Sequence, residues 1–262
     1  MRIATFNING IKARLEALLQ WLGECKPDVA LLQELKSTDE AFPAEPIEAL
    51  GYNVATHGQK GFNGVAILSR HPIEDVVRGL PGDDGDEQAR WIEATVCGDG
   101  RPVRVVSLYL PNGNPAPGPK FDYKLAWMAR MRDRVGDILA TEEPTVLAGD
   151  YNVIAQPEDA EFPDRWLDDA LFRPESRAAF RRILYMGLTD AFRVRHRGKG
   201  HYTFWDYQRG AYQENNGIRI DYALLTPQAA DLLEDAYIDA HIRSRERPSD
   251  HVPVVIELRD RG

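Results

Sequence analysis

Asp150 and Asn152 close a short apolar run, Thr145-Val146-Leu147-Ala148-Gly149, and place a carboxylate and an amide two residues apart. Residues i and i+2 of an extended chain project to one side, so the pair is expected to point into one cavity just past a sheet edge. Gly, Asp and Asn are also the usual turn formers, and alone the tetrapeptide reads as well as a turn. Other segments decide between the two. An apolar run over residues 2–6 leads into Asn7, Ile8 and Asn9; one over 28–32 leads into Gln33 and Glu34; one over 103–108 leads into Tyr109, Leu110, Pro111 and Asn112. Ile218-Arg219-Ile220 ends at Asp221, and Asp250-His251 stands just before an apolar run over 252–258. Strand ends that together supply carboxylates, amides, a phenol and an imidazole are hard to assign to turns and point to one catalytic site.

These ends need strands to carry them and helices to cover the strands. Residues 14–24 carry Leu15, Leu18, Leu19 and Leu22 on one stripe, and residues 124–139 carry Leu125, Met128, Met131, Val135 and Leu139. A third helix is expected over residues 174–186, opened by Pro-Glu-Ser. Residues 64–68, 91–96 and 103–110 read as successive strands, which fits mixed sheets better than a purely parallel, doubly wound one.

With 262 residues and 43% hydrophobic content the chain can bury a large core, and with neither a linker nor a repeat it reads as one α/β domain over 1–262. No signal-type leader and no long apolar span is visible, and Cys25 and Cys97 form no metal spacing, so a reduced cytoplasm without membrane contact is expected. The net charge of −9 is unlike that of a protein holding nucleic acid by bulk electrostatics. Distribution offsets the total. Arg193, Arg195, His196, Arg197, Lys199 and His201 crowd one stretch and Arg243, Arg245 and Arg247 another, while acid gathers over 83–87 and 158–161.

In order and spacing, the segments FNINGIKAR, LLQELK, GVAILSR, YLPNGN, GDYN, TFWDY through IRIDYALL, and SDHVPV resemble the exonuclease III family of abasic-site DNA repair endonucleases, within the endonuclease/exonuclease/phosphatase superfamily. The resemblance covers nearly the whole chain. It implies a four-layer α/β sandwich of two packed mixed β-sheets with helices outside, and a Mg²⁺-dependent enzyme that cuts the phosphodiester 5′ to abasic sites in double-stranded DNA. Action on blocked 3′ ends as 3′-phosphatase, 3′-phosphodiesterase and 3′→5′ exonuclease is implied too, in a proportion left open. A monomer is expected.

Within that frame Glu34 is the first metal ligand, with Asp250 and Asn9 beside it, since hard oxygen donors without Cys select Mg²⁺, or Mn²⁺ in its place, over Zn²⁺. Asp150 would orient or deprotonate the attacking water, with Asn152 fixing its geometry and Asn7 and Asn112 donating to phosphate oxygens. His251 would donate as imidazolium, its pKa raised by Asp221. The general base stays open between Asp150, which is favoured, and the His251/Asp221 pair, and Tyr109 would donate to the phosphate or the leaving group. Counting back from Asp221, the aromatic that contacts the extruded abasic sugar falls on Phe204, with Trp205 adjacent and Ile218 and Ile220 lining the same pocket. Such a pocket is too small for an intact nucleotide, whereas an abasic sugar is extruded at little cost in stacking. Two other readings remain: a superfamily phosphoesterase acting on small phosphoesters such as inositol phosphates, and a catalytically inert DNA-binding module. The second would lack one of the acids, and none is missing.

Overall fold

The computed structural model describes residues 1–98 and 101–259. The first half of the chain runs β1 (Arg2–Asn7), α1 (Leu15–Cys25), β2 (Val29–Gln33), α2 (Ala44–Glu48), β3 (Asn53–His57), β4 (Val65–Ser69), β5 (Ile73–Arg78), β6 (Trp91–Gly98) and β7 (Arg101–Tyr109). The second half runs α3 (Pro119–Ala140), β8 (Thr145–Asp150), α4 (Pro174–Leu184), β9 (Thr189–Asp190), α5 (Ala191–Arg195), β10 (Asp221–Leu225), α6 (Pro227–Ala230), β11 (Leu233–Ile238) and β12 (Val254–Leu258). The strands form two six-stranded sheets, ordered β11-β12-β1-β2-β4-β3 and β5-β6-β7-β8-β10-β9. The expected four-layer sandwich of mixed sheets is the observed fold.

Each sheet contains one parallel pair, β1 with β2 and β7 with β8, and its other pairs are antiparallel. Parallel neighbours need a long crossover, which α1 and α3 supply. Both pairs deliver their carboxyl ends to the same rim of the sandwich, the place where open α/β sheets bind ligands.

Period-2 alternation sorts the strand residues among three cores, one between the sheets and one outside each sheet. Ile3, Val29, Leu31, Val105, Val146, Ala148 and Ala223 face the other sheet and form the inter-sheet core. Ala4, Phe6, Ala30 and Leu32 face α1, whose Leu18, Trp21 and Leu22 bury against them. Val106, Leu108 and Leu147 face α3 and α4, where Trp127, Met128, Met131, Phe180 and Ile183 cover them. Burying each Val, Leu, Ile, Phe or Met side chain among these contributes about 1.5–3 kcal/mol.

Most boundaries moved from expectation, generally by a residue or two, and three of the shifts bear on the fold. The second long helix begins at Pro119 rather than residue 124, with Pro in its first turn, where the missing N–H costs nothing. The third ends at Leu184 rather than 186, and the last strand starts at Val254 rather than 252, because Val252 donates its N–H to the Thr203 carbonyl outside the ladder.

Candidate active site

The alternation that builds the inter-sheet core also builds the site. On β1 the inward positions are Ile3, Thr5 and Asn7; on β7, Val103, Val105, Ser107 and Tyr109; on β8, Val146, Ala148 and Asp150; on β10, Leu225, Ala223 and Asp221. The layer is apolar at its base and turns polar toward the rim. Its first polar level is a cross-sheet link: Thr5 donates to Gln33 (3.2 Å), Gln33 donates to Ser107 (3.0 Å), and Ser107 donates to the Leu32 carbonyl (2.9 Å), all buried. Two residues further along β1 and β7 stand Asn7 and Tyr109, and one residue past Gln33 stands Glu34. Gly149 keeps β8 close enough to β7 to do this, since a Cβ there would sit 1.9 Å from the Leu108 carbonyl oxygen.

Asn7 is the hub and is fully buried. Its Nδ2 donates to Glu34 Oε1 at 3.0 Å and to Asp150 Oδ2 at 2.9 Å, and its Oδ1 accepts the Asn9 N–H at 3.0 Å. Its carbonyl accepts the Ser249 hydroxyl (2.7 Å), which in turn accepts the His251 N–H (3.2 Å), so the segment before β12 is tied to the end of β1. His251 Nδ1 lies 2.8 Å from Asp221 Oδ2, and its Nε2 lies 3.7 Å from Asp150 Oδ2. Phe204 meets the His251 ring edge-on at 5.0 Å between centroids, and the Thr203 hydroxyl accepts the N–H groups of Ile220 and Asp221 (3.1 and 3.2 Å).

Three site residues occupy left-handed backbone: Asn9 at φ 47°, Glu34 at φ 52° and Asn152 at φ 46°. Asn tolerates this region; Glu does so at a cost of order 1–3 kcal/mol, of the kind that gathers at functional sites. Asn152 therefore does not reach the site by extended alternation, as the sequence suggested. It turns back, its N–H donating to Asp150 Oδ1 at 2.9 Å, so the Asp-Asn pair is both a turn and part of the site.

Burial and charge push the two central carboxylates apart. Burial raises Asp150, with Asp221 adding to the rise and His251 opposing it, and the carboxyl reaches about 7. Burial acts the same way on Glu34, but the Asn7 amide, Lys36 (Nζ–Oε2 3.1 Å) and His251 outweigh it, and Glu34 lies below its ordinary value. His251 loses charge affinity to burial and regains more from Asp221 and Asp150, rising to about 10. Tyr109 is held well above the ordinary phenol range by burial and by Glu34 and Asp150, although the Arg90 guanidinium stacks over its ring at 4.9 Å. Two carboxyl groups with opposite shifts in one cavity divide into an ionised ligand and a proton acceptor. Glu34, Asp150 and His251 bring ligand atoms within 4.8 Å of one another, a group able to hold a metal ion. With the imidazole protonated, the donors left in that group are the hard carboxylate oxygens of Glu34 and Asp150, which suit a hard divalent cation.

A family model described as "Endonuclease/Exonuclease/phosphatase family" matches residues 4–251. The chain belongs to this family. It is 35% identical to exodeoxyribonuclease III of Haemophilus influenzae over 267 aligned positions, covering 99% of this chain and 100% of that protein. Among solved structures it resembles an AP endonuclease from Archaeoglobus fulgidus (TM-score 0.93, 37% identity, 98% of this chain and 99% of that one). It also resembles a 3′ phosphatase, NExo, from Neisseria bound to product DNA hairpin (TM-score 0.94, 38% identity, 99% of both chains).

In this family member most of the expected residues converge, with four corrections. Asn7 has both amide hydrogens committed to Glu34 and Asp150, so it spaces two carboxylates and is not free to donate to phosphate. Asn112, exposed at the rim and donating to Asn152 Oδ1 at 3.3 Å, is the amide open to a phosphate. Asp250 stands outside the group formed by Glu34, Asp150 and His251. It accepts from Asn9 Nδ2 (2.9 Å), and Asn9 Oδ1 accepts from Lys36 Nζ, so these two expected ligands form an outer ring around Glu34. Trp205 turns away: it is buried with Tyr202, Ile242 and Val252 in the core behind the first sheet, because neighbours in an extended segment face opposite ways.

Phe204, Ile218 and Ile220 do share one cluster, with Ile154, Ala160, Leu171 and Phe172, and Trp166 packs on it from the 3-10 turn Pro163–Trp166. Trp166 was missed because nothing in its loop has a period. The basic stretches are partly consumed as structure. Arg193 pairs with Asp159, Lys199 with Glu161, and Arg245 with Glu24, while Arg243 is buried beside the Tyr207 and Tyr212 rings. Arg195, Arg197 and Arg247 remain exposed. Among the described residues no helix is long and apolar enough to cross a membrane.

Proposed function

We propose that the chain is a DNA repair nuclease that hydrolyses the phosphodiester 5′ to abasic sites in duplex DNA and also removes blocking groups and nucleotides from 3′ ends. One observation carries the reading: a raised Asp150 carboxyl and a protonated His251–Asp221 pair face each other across 3.7 Å beside an apolar cluster holding Phe204, Ile218 and Ile220. A carboxyl near neutrality is matched to taking a proton from the attacking water. An imidazolium cannot, which favours Asp150 as base and gives His251 the role of donor to a non-bridging phosphoryl oxygen. Asp221 holds the ring and its charge, Asn152 and Asn112 orient the phosphate, and Tyr109, kept protonated, donates to the phosphate or the leaving oxygen. Asn7 keeps Glu34 and Asp150 apart.

Glu34, backed by Asn9 and Asp250, would hold Mg²⁺ or Mn²⁺, which supplies Lewis-acid stabilisation of the charge on the leaving oxygen. Phe204, Ile218, Ile220 and Trp166 would receive a sugar without its base. The chain would act as one catalytic domain over 1–262, monomeric and cytoplasmic, on double-stranded DNA with abasic or blocked 3′ sites.

The test offers the protein, with and without EDTA, a duplex carrying one abasic analogue, an intact duplex, a 3′-phosphate end and inositol phosphates. Metal-dependent incision 5′ to the abasic site, leaving a 3′-hydroxyl, is expected, with weakening as salt screens the exposed arginines. Inositol phosphate turnover without DNA cleavage would overturn the assignment.

A further inference from the structure

Lys124 occupies a core position of α3. The buried stripe of that helix runs Phe121, Lys124, Met128, Met131, Val135, Ile138, and at the second place, where the pattern calls for an apolar residue, stands a lysine with no exposed surface. Burial lowers its pKa to about 7 against the pull of Asp150 and Asp169, so its place in the core is unfavourable for a cation. A leucine or methionine would fill the same volume without that cost. The reason for a lysine lies in what its ammonium touches.

Nζ donates to the Asn152 carbonyl at 2.6 Å and to the Asn112 carbonyl at 3.1 Å. It thus joins the turn after β8 to the loop after β7, the two segments that carry the amides Asn152 and Asn112. From above, the loop closes onto the lysine stem at Gly113, in left-handed backbone at φ 90°, where a Cβ would lie 2.6 Å from Lys124 Cδ and 3.3 Å from Ala170 Cβ. The side chains are fixed from the other side. Asn112 Oδ1 accepts from Asn114 N (3.2 Å) and Nδ2 (2.9 Å), and Asn114 is itself held by Asp169 (3.0 Å) and the Ala170 N–H (3.0 Å). With its oxygen so engaged, Asn112 turns its Nδ2 to Asn152 Oδ1.

We propose that Lys124 is a positioning residue of the phosphodiester-cleaving site: its ammonium clamps the Asn112 and Asn152 carbonyls together and so sets where the two amides meet the phosphate. This rests on the nuclease reading. Lys124 does not itself touch the phosphate; it acts through the two asparagines.

The test replaces Lys124 with Met, which keeps length and apolar volume and removes the donors, and independently replaces Gly113 with Ala, which leaves the ammonium in place and wedges the loop off it. Both variants are measured on the abasic duplex for kcat and KM, by thermal unfolding, and by the side-chain NH₂ cross-peaks of Asn112 and Asn152. The expected result for both is a kcat lower by roughly tenfold to a hundredfold, the scale of a small misplacement of reacting groups, with KM changed by less than about threefold and both cross-peaks shifted. A kcat within about twofold of wild type in either folded variant, or cross-peaks that stay in place, overturns the proposal. If wild-type protein cleaves no DNA, the nuclease reading fails, and the cross-peaks still decide whether Lys124 sets the two amides. Should Lys124→Met fail to fold, Gly113→Ala decides alone.

Discussion

Replacing Asp221 with Asn keeps the shape beside His251 and removes one charge. Asp221 Oδ2 lies 2.8 Å from His251 Nδ1, and both groups are buried. Exchanging a hydrogen bond to a charged acceptor (about 1.5–3 kcal/mol) for one to a neutral acceptor (about 0.5–1.5 kcal/mol) loses roughly 1–1.5 kcal/mol, about one pKa unit. Direct attraction at about 4 Å and an effective dielectric near 20 is worth at most about 4 kcal/mol, or roughly three units. The His251 pKa should therefore fall from about 10 by one to three units. If the imidazolium is the active form, activity is lost on the alkaline side, so the descending limb of the rate profile moves to lower pH by at least about one unit. At pH 6 the variant stays near wild type; at pH 9 it is slower by about twofold for a one-unit fall and by about a hundredfold for three units. Stability follows the same sign. A raised folded pKa means that the pair stabilises the fold fully below the ordinary value of 6.5 and that this is lost as pH rises through about 10, a dependence the variant should flatten. Single-turnover incision from pH 6 to 10, with NMR titration of the ring nitrogens, measures both. An unshifted alkaline limb, or a His251 titration unchanged in the variant, would refute the assignment of Asp221 as the source of the imidazolium.

Three further substitutions separate roles. Asp150→Asn should lower kcat on the abasic duplex by about 10² or more, with binding in a gel-shift assay retained; cleavage within a few-fold of wild type would remove Asp150 from the chemistry. Phe204→Ala should weaken abasic incision and spare 3′-phosphate removal, whereas Trp205→Ala should cost about 3–5 kcal/mol of unfolding free energy with no change in the ratio of the two activities. A ratio altered by Trp205→Ala and not by Phe204→Ala would reverse their places.

Strand ends were legible because alternation is local: the periodicity that buries Val146 and Ala148 also turns Asp150 inward. The same rule, applied to Phe204 and Trp205, separates them to opposite faces, and only the first reaches His251. What could not be read is which polar groups satisfy one another. Asn7 looked like a donor for substrate, yet its amide is spent on Glu34 and Asp150, residues 27 and 143 positions away. Likewise the basic 193–201 stretch reads as one DNA-facing surface, yet Asp159 and Glu161 claim Arg193 and Lys199 and leave only Arg195 and Arg197 of its arginines exposed. Lys124 was masked by a helical pattern in which any long side chain looks like solvent-facing charge. Sequence distance hides all of these, since the partners lie on different sheets or loops.

The seam between the sheets has a consequence for when the protein becomes dangerous to DNA. Asn7 and His251 come from one sheet's strands and rim, Asp150 and Asp221 from the other, and His251 stands just ahead of β12, which inserts between β1 and β11. A chain emerging from synthesis can form β1, β2 and the whole of α3 while holding no competent centre, because the imidazole arrives only after some 250 residues have been made. Cutting power thus appears late and all at once, when the two sheets dock. It should vanish just as early when they part: under mild denaturant the nuclease would fall silent while much of its secondary structure persists, leaving half-folded molecules harmless to the genome they serve.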